Sequence, residues 1–263
     1  MIFFNEVKVL ANLNFLKLNH SKSQLLVITR GKEENSIVQQ LNGKVEFSIE
    51  SKVRNLGIFI DNKLSFNHQI NAVCRKGFFM LRNLWKISSK IDDINLKKQI
   101  VQSCILAPID YCNSLYANLP KKQTKKLQNL LHAAVRFVFN INLRDRVSIT
   151  EMMKKCHFLP IEARVQFKVC TMVFKYYNET APNYINDMLT RKISLPCLRI
   201  SDDKFLLKFI SENQKYKDRK FSTAAPALWN KLTHDIRSSS TIGMFKKKLK
   251  THLFKEYYEN HNA

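Results

Sequence analysis

Acidic residues, glycines and long apolar runs are all scarce in this sequence. It carries 21 Asp and Glu against 44 Lys and Arg, a formal charge of +23, and such an imbalance favours a polyanionic partner. The basic residues are spread along the whole chain rather than gathered in one tail, which suits a nucleic-acid-binding surface better than a localisation signal. Solvated helix faces account for part of the charge. With 5 glycines there is no phosphate-cradling glycine loop. No stretch approaches 18 consecutive apolar residues, so a transmembrane helix is not expected. The first residues, "MIFFNEVKVLANLNFLKLN", lack a basic leader and a small-residue cleavage site, and Asn5, Glu6 and Lys8 interrupt the apolar positions, which argues against secretion. Cys74, Cys104, Cys112, Cys156, Cys170 and Cys197 form no CxxC pair and show no zinc-finger spacing. Reduced, mostly buried thiols in an intracellular setting, cytoplasm or nucleus, are the expectation.

What is present is a chain of 263 residues, 45% of them hydrophobic, enough to bury the core of one large or two modest domains and too apolar for a disordered chain. Residues 1–62 have a mixed α/β texture. A first amphipathic helix is followed by the apolar runs "QLLVITR", "VEFSI" and "VRNLGIFID", which predict strands over 24–30, 45–49 and 53–60 joined by loops around Gly31, Asn35 and Gly43. From Ser65 the period changes to about 3.6. Phe66, Ile70, Val73, Gly77, Met80, Leu81 and Leu84 predict one helical face. Leu96, Ile100, Cys104 and Ala107 predict another, halted at Pro108.

The strongest helix follows Pro120: Leu127, Leu130, Leu131, Ala134, Val135 and Val138 fit the i, i+3, i+4, i+7 template. Lys121, Lys122, Lys125 and Lys126 surround its first turns, and Arg136 lies on its outer face. These lysines oppose the helix dipole at a cost of a few tenths of a kcal/mol each, which a bound anion would relieve. Further helices are expected from Thr150 to Cys156, from Ile161 to Tyr177 and after Pro182, while residues 195–222 read equally as strands or as a loop. "APALWNKL" and "STIGMFKKKLKTHLFKEYY" close the chain as helices, the last with Ile242, Phe245, Leu249 and Leu253 inward and Lys246, Lys247, Lys248 and Lys250 outward.

Residues that could carry catalysis are few. Metal-assisted phosphoryl transfer needs carboxylates converging from separate elements. Asp92 and Asp93 stand where a helix N-cap belongs, and Asp202 and Asp203 suit a turn. Cys156 and His157 are neighbours that point to different sides of a helix end, so they do not make a nucleophile and its base. His20, His68, His132, His234, His252 and His261 are too scattered for a metal cluster.

Four segments in order, "NFLKLNHSKSQLLVI", "VRNLGIFIDNKLSFNHQI", "CHFLPIEARVQFKVCTMVFKYYNETAPNYINDML" and "FSTAAPALWNKLTHDIRSSSTIGMFKKKLKTHLF", resemble the C-terminal part of non-LTR retrotransposon reverse transcriptases of the jockey and CR1-like LINE type. The resemblance implies the end of the polymerase palm at residues 1–62, a helical thumb at 63–190 and a C-terminal region at 191–263. The expected fold class is therefore α+β, mainly α. In that family the turn bearing the paired catalytic aspartates lies just before the helix leading into "LKLN", a place that here would precede Met1. Lys22 matches the family's lysine beyond that turn, which positions or protonates the leaving pyrophosphate. Without the acids and the magnesium ions of the parent polymerase it is an orphan, and no cofactor is expected in this chain. Asn55 to Asp61, "NLGIFID", matches the family's hairpin at the primer terminus, and Arg164 within "HFLPIEAR" reads as structural.

The function these features predict is that of an RNA-directed DNA polymerase fragment unable to polymerise alone. It would bind RNA or an RNA–DNA hybrid non-specifically through Lys121, Lys122, Lys125, Lys126, Lys246, Lys247 and Lys250, with no membrane and no small-molecule substrate, and could associate with a full-length polymerase. The rival readings are a helical interaction module, a decayed retroelement copy without selected activity, or an unrelated basic helical protein such as a ribosome-associated factor.

Overall fold

The computed structural model describes residues 2–19, 22–29, 34–42, 47–142, 144–192, 205–208 and 220–259. Asp202, Asp203, Cys197, His20, His261, Gly31 and Gly43, and most of the 195–222 stretch, lie outside the described residues. Among the described residues the fold is mainly helical with two small sheets, and its contacts divide it into units Met1–Gln69 and Ile70–Ala263.

In the first unit, α1 (Ile2–Leu13) ends at Phe15, whose φ of 56° is left-handed, with the Leu16 N–H donating to the Ala11 carbonyl at 2.8 Å. Strands β1 (Gln24–Leu26) and β2 (Ser48–Glu50) pair in parallel, Leu25 opposite Ile49. Parallel neighbours cannot be joined by a tight turn. The chain crosses over through α2 (Glu34–Leu41), a helix in the stretch expected to be loop. The run expected as one strand over 53–60 is instead an antiparallel hairpin, β3 (Lys52–Asn55) and β4 (Ile58–Asp61). Its turn residues Leu56 and Gly57 both have positive φ, 46° and 86°, the conformation whose twist matches a two-residue hairpin. The expectation from the residues alone missed this reversal because it rests on one glycine within an apolar run.

Asp61 closes the hairpin and organises the loop that leads to the next helix. Its carboxylate accepts from the Lys63, Ser65 and Phe66 N–H groups at 3.2, 2.9 and 2.9 Å and from Ser65 Oγ at 3.1 Å. All its acceptor capacity is used within five residues of its own chain.

The second unit is built on α3 (Asn67–Lys86), which enters it at Ile70, and α6 (Lys121–Val138). Ile70, Val73, Gly77, Leu81 and Leu84 are buried as expected, whereas Met80 is exposed. Gly77 lets α3 approach α6: a Cβ there would lie 2.5 Å from Leu130 Cδ2. Every apolar position predicted on α6, from Leu127 to Val138, is buried.

Asp93 caps α4 (Ile94–Val101), its Oδ1 accepting from the Asn95 N–H at 2.7 Å. The buried positions are Lys97, Val101, Ile105, Leu106 and Ile109, one or two residues on from the face expected through Leu96, Ile100, Cys104 and Ala107. The first of them is a lysine, so an apolar pattern cannot find it. The Lys97 stem is buried while its Nζ donates to Asn140 Oδ1 at 2.7 Å and lies over the Phe137 ring, the usual arrangement of a long side chain with a polar tip. Nor does Pro108 halt the helix. A wider π turn over Gln102–Leu106 precedes α5 (Ala107–Asp110), and it absorbs the missing N–H and the ring's clash with the preceding turn.

Then come α7 (Ile149–Cys156), α8 (Ile161–Tyr177), α9 (Asn183–Asn186), α10 (Phe221–Trp229), α11 (His234–Arg237) and α12 (Ile242–Tyr258). Both α10 and α12 pack on α8. Phe174 stacks on Phe245 at 4.3 Å and Tyr177 on Trp229 at 5.4 Å, aromatic pairs that add to the area they bury. Trp229 Nε1 donates to the Phe205 carbonyl at 2.6 Å. Tyr258 Oη donates to the Phe158 carbonyl at 2.6 Å, joining the end of α12 to the α7–α8 connection. Arg164 forks onto Asp110, its Nε donating to Oδ1 at 2.8 Å and its Nη2 to Oδ2, so it ties α8 to α5.

Candidate nucleic-acid interface

The residues expected to meet phosphates fall into two groups in the second unit. At the start of α6, Pro120 occupies the N-cap without a side-chain hydrogen bond, and the first turn holds no acid. Lys121, Lys122 and Lys125 are exposed there. Lys126 is half-buried and committed: its Nζ donates to Asn71 Oδ1 on α3 at 2.8 Å. A helix N-terminus presents unpaired N–H groups and a partial positive charge, and three exposed ammonium groups beside it add to that positive potential; Glu162, which lines the same small cavity as Lys121, offsets part of it.

On α12 the core side is Phe245, Leu249 and Leu253, and Lys246, Lys247 and Lys250 are exposed. Two expectations for this helix need correction. Ile242, the first residue of the helix, is 37% exposed. Lys248 is half-buried, and its Nζ is paired with Asp235 Oδ1 of α11 at 2.6 Å. The far end of α12 comes near α6, since Lys121 and Tyr257 line one small cavity of about 270 Å³. Lys250 lies about 10 Å back along the α12 axis from Tyr257 at 1.5 Å per residue, so the two lysine groups occupy separate places on the unit.

Lys22 stands in an exposed turn of the first unit, its N–H donating to the Asn19 carbonyl and to Asn19 Oδ1, each at 3.2 Å. Among the described residues no group of three or more His, Cys, Asp or Glu side chains could hold a metal ion. Cys156 is buried and His157 exposed, its φ of 54° left-handed and its ring 5.6 Å from that of Phe254. Burial pushes the Cys156 thiol up to about 11, with Lys98 opposing. A thiol so held is protonated and inert at neutral pH. Cys170 is also buried, and Cys74, Cys104 and Cys112 are half-buried free thiols, so the expectation of mostly buried thiols holds for only part of the set.

One feature was missed from the sequence. The second half of α3, the end of α6 and the loop beyond it enclose a cleft of about 840 Å³, walled by Phe78, Leu81, Trp85 and Ile141. Arg82, Arg136 and Arg144 line it from those three segments. Phe78, Arg82 and Trp85 share one side of α3 at i, i+4 and i+7, off the stripe that faces the core. That spacing was the available signal.

Compared with known proteins, the chain matches no protein-family model and no curated protein. Among the described residues, no helix is long and apolar enough to cross a membrane.

Proposed function

We propose that the chain is the C-terminal part of a LINE-type reverse transcriptase, jockey or CR1-like, and that its retained activity is to hold RNA or an RNA–DNA hybrid by the backbone phosphates. The four ordered segments support the family reading, and a small α/β unit followed by a mainly helical one is compatible with a palm remnant leading into a thumb. The observation that carries the binding reading is the start of α6, where Lys121, Lys122 and Lys125 are exposed around a helix N-terminus without an acid in its first turn. A phosphate there meets N–H donors, the positive end of the dipole and mobile ammonium groups together. Lys246, Lys247 and Lys250 give α12 a second phosphate-facing strip. Lysine ammonium groups sense charge and groove shape, not base identity, so hairpin RNA and hybrid should bind alike.

The test is equilibrium binding of the full chain to an RNA hairpin and to an RNA–DNA hybrid across a salt series. Affinity should fall steeply with salt, similarly for both ligands. Substituting Lys121→Gln, Lys122→Gln and Lys125→Gln together should weaken both and lower the salt slope by about one for each phosphate no longer neutralised. Weak binding at low salt, or an unchanged slope in the triple variant, would overturn the reading. Primer extension with magnesium and deoxynucleotides is not expected of this chain. Lys22 stands in an exposed turn, and the Asp61 carboxylate is occupied by its own loop.

A further inference from the structure

The cleft between α3 and α6 lies apart from the lysines at the start of α6. Its volume of about 840 Å³ falls within the roughly 300–1,000 Å³ of small-ligand pockets. Two chemistries meet in it. Trp85 is half-buried, and Phe137 meets its indole edge-on, 5.7 Å between centroids at 83°. The indole is therefore held before anything binds, so little side-chain freedom is lost when a flat ring docks on it. Phe78, 45% exposed, stands two turns back along the same helix, and Ile141 adds an apolar side chain from the segment after α6.

The polar side of the cleft is cationic. Arg136 Nη1 donates to the Asn142 carbonyl at 2.7 Å, which holds that guanidinium on the lining with donors to spare. Arg82 and Arg144 are exposed. Among the described residues the one acid on the lining is Asp145, and it is engaged by its own turn, Oδ2 accepting from the Asn142 N–H at 2.7 Å. Guanidinium groups recognise phosphate oxygens bidentately, and aromatic side chains stack on bases.

We propose that this cleft seats one unpaired nucleotide of a single-stranded RNA, the base against Trp85 and Phe78 and the flanking phosphates on Arg82 and Arg144. The choice of RNA rests on the reading above; the site is distinct from its lysines. A base paired within a duplex is stacked and cannot enter, so the cleft selects single strand where the lysine faces do not. An acidic peptide would satisfy the arginines but leave the aromatic wall without a flat partner.

The two tryptophans make the test direct. Trp229 is fully buried with its Nε1 bonded to Phe205, so a stacking ligand acts on Trp85. The full chain is titrated with an adenine oligoribonucleotide of about ten residues, near the length of known single-strand sites, and separately with a blunt RNA hairpin closed by a non-nucleotide linker, so that it holds no unpaired base. The oligonucleotide should quench intrinsic fluorescence, and Trp85→Phe should remove the quench while leaving measurable binding. Arg82→Gln with Arg144→Gln should weaken single-strand binding about tenfold and change hairpin binding by less than about twofold, since stacking and guanidinium contacts serve only the single strand. Unchanged Trp229 emission in Trp85→Phe, and unchanged circular dichroism in the arginine variant, establish that the variants fold.

Equal weakening of both ligands, binding without quenching, or equal quenching by polyglutamate would overturn the proposal. If the lysine variants leave hairpin binding unchanged while the oligonucleotide still quenches, only the phosphate-face reading falls. If hairpin binding follows the lysines and no quench occurs, only the cleft falls.

Discussion

At the scale of single residues, the polar contact with the clearest consequence joins Gln128 to His132. Gln128 Oε1 accepts from the Ile161 N–H at 3.0 Å, at the start of α8, and its Nε2 lies 2.8 Å from His132 Nε2. The first bond fixes which end of the amide is which, so the amide nitrogen donates and His132 Nε2 accepts. The imidazole is neutral, with its proton on Nδ1. Burial, and after it the charge of Arg136, hold His132 below its ordinary value. Because the folded state takes up this proton at lower pH than the unfolded chain, the contribution is fully present above about pH 6.5 and is lost progressively as pH falls from there through the lower folded value. Protonation would also turn the acceptor into a donor facing another donor. The melting temperature should therefore fall between about pH 7.5 and about pH 5.5, and His132→Gln should fall less steeply over the same interval. Equal slopes for the two proteins would show that the loss arises at other groups.

Among the elements, the helix ends reveal what a glycine-poor sequence does instead. The ends of α1, α6, α7 and α8 place Phe15, Asn140, His157 and Glu179 at φ between 52° and 56°. In each case the next N–H bonds the carbonyl five residues back, as Thr180 does to Lys175 at 2.9 Å. Glycine is the usual residue there because a Cβ costs about 1–2 kcal/mol in this conformation. Glu179 adds a negative charge beyond a C-terminal, negative helix end. Glu179→Gly should raise stability by about 1 kcal/mol, a shift of roughly 2–4 °C in melting temperature for a unit of this size. Glu179→Ala removes the charge but keeps the strained φ, and should recover only part of the gain. A Glu179→Gly protein no more stable than the parent would mean that the αL strain is relieved in some other way. The same elements show what the sequence could reveal. Helices α6 and α8 were legible because each begins after a proline and carries an apolar stripe. Helix α2 was not, because only the parallel pairing of β1 with β2, partners far apart in sequence, requires it. The lysines of α6 and α12 were legible as basic faces, but the engagement of Lys126 by Asn71 and of Lys248 by Asp235 depends on neighbouring helices. The arginine cleft was hidden for the same reason, since its lining comes from three segments.

For the whole molecule, the two units differ in how much they bury. The second has a continuous core from Val101 through Leu130 and Val169 to Leu253. In the first, none of the side chains described between Asn5 and Gly57 is buried; Val9, Leu10, Leu13 and Leu16 of the α1 segment are exposed, and Phe15 is 99% exposed. Its sheets have two strands each, and a two-stranded pair is marginal in water without an apolar face to bury. Local opening there should cost far less free energy than opening the helices around α6, and a protease needs an opened, extended segment to cut. Limited proteolysis followed by mass spectrometry should therefore place the earliest cuts before Gln69 and leave residues 70–190 intact in a resistant product. This should hold even though lysines, ready targets for trypsin, crowd the exposed face of α6. Earliest cleavage within 70–190 would mean that the apolar stripes of α3, α6 and α8 do not hold that unit together as their burial implies.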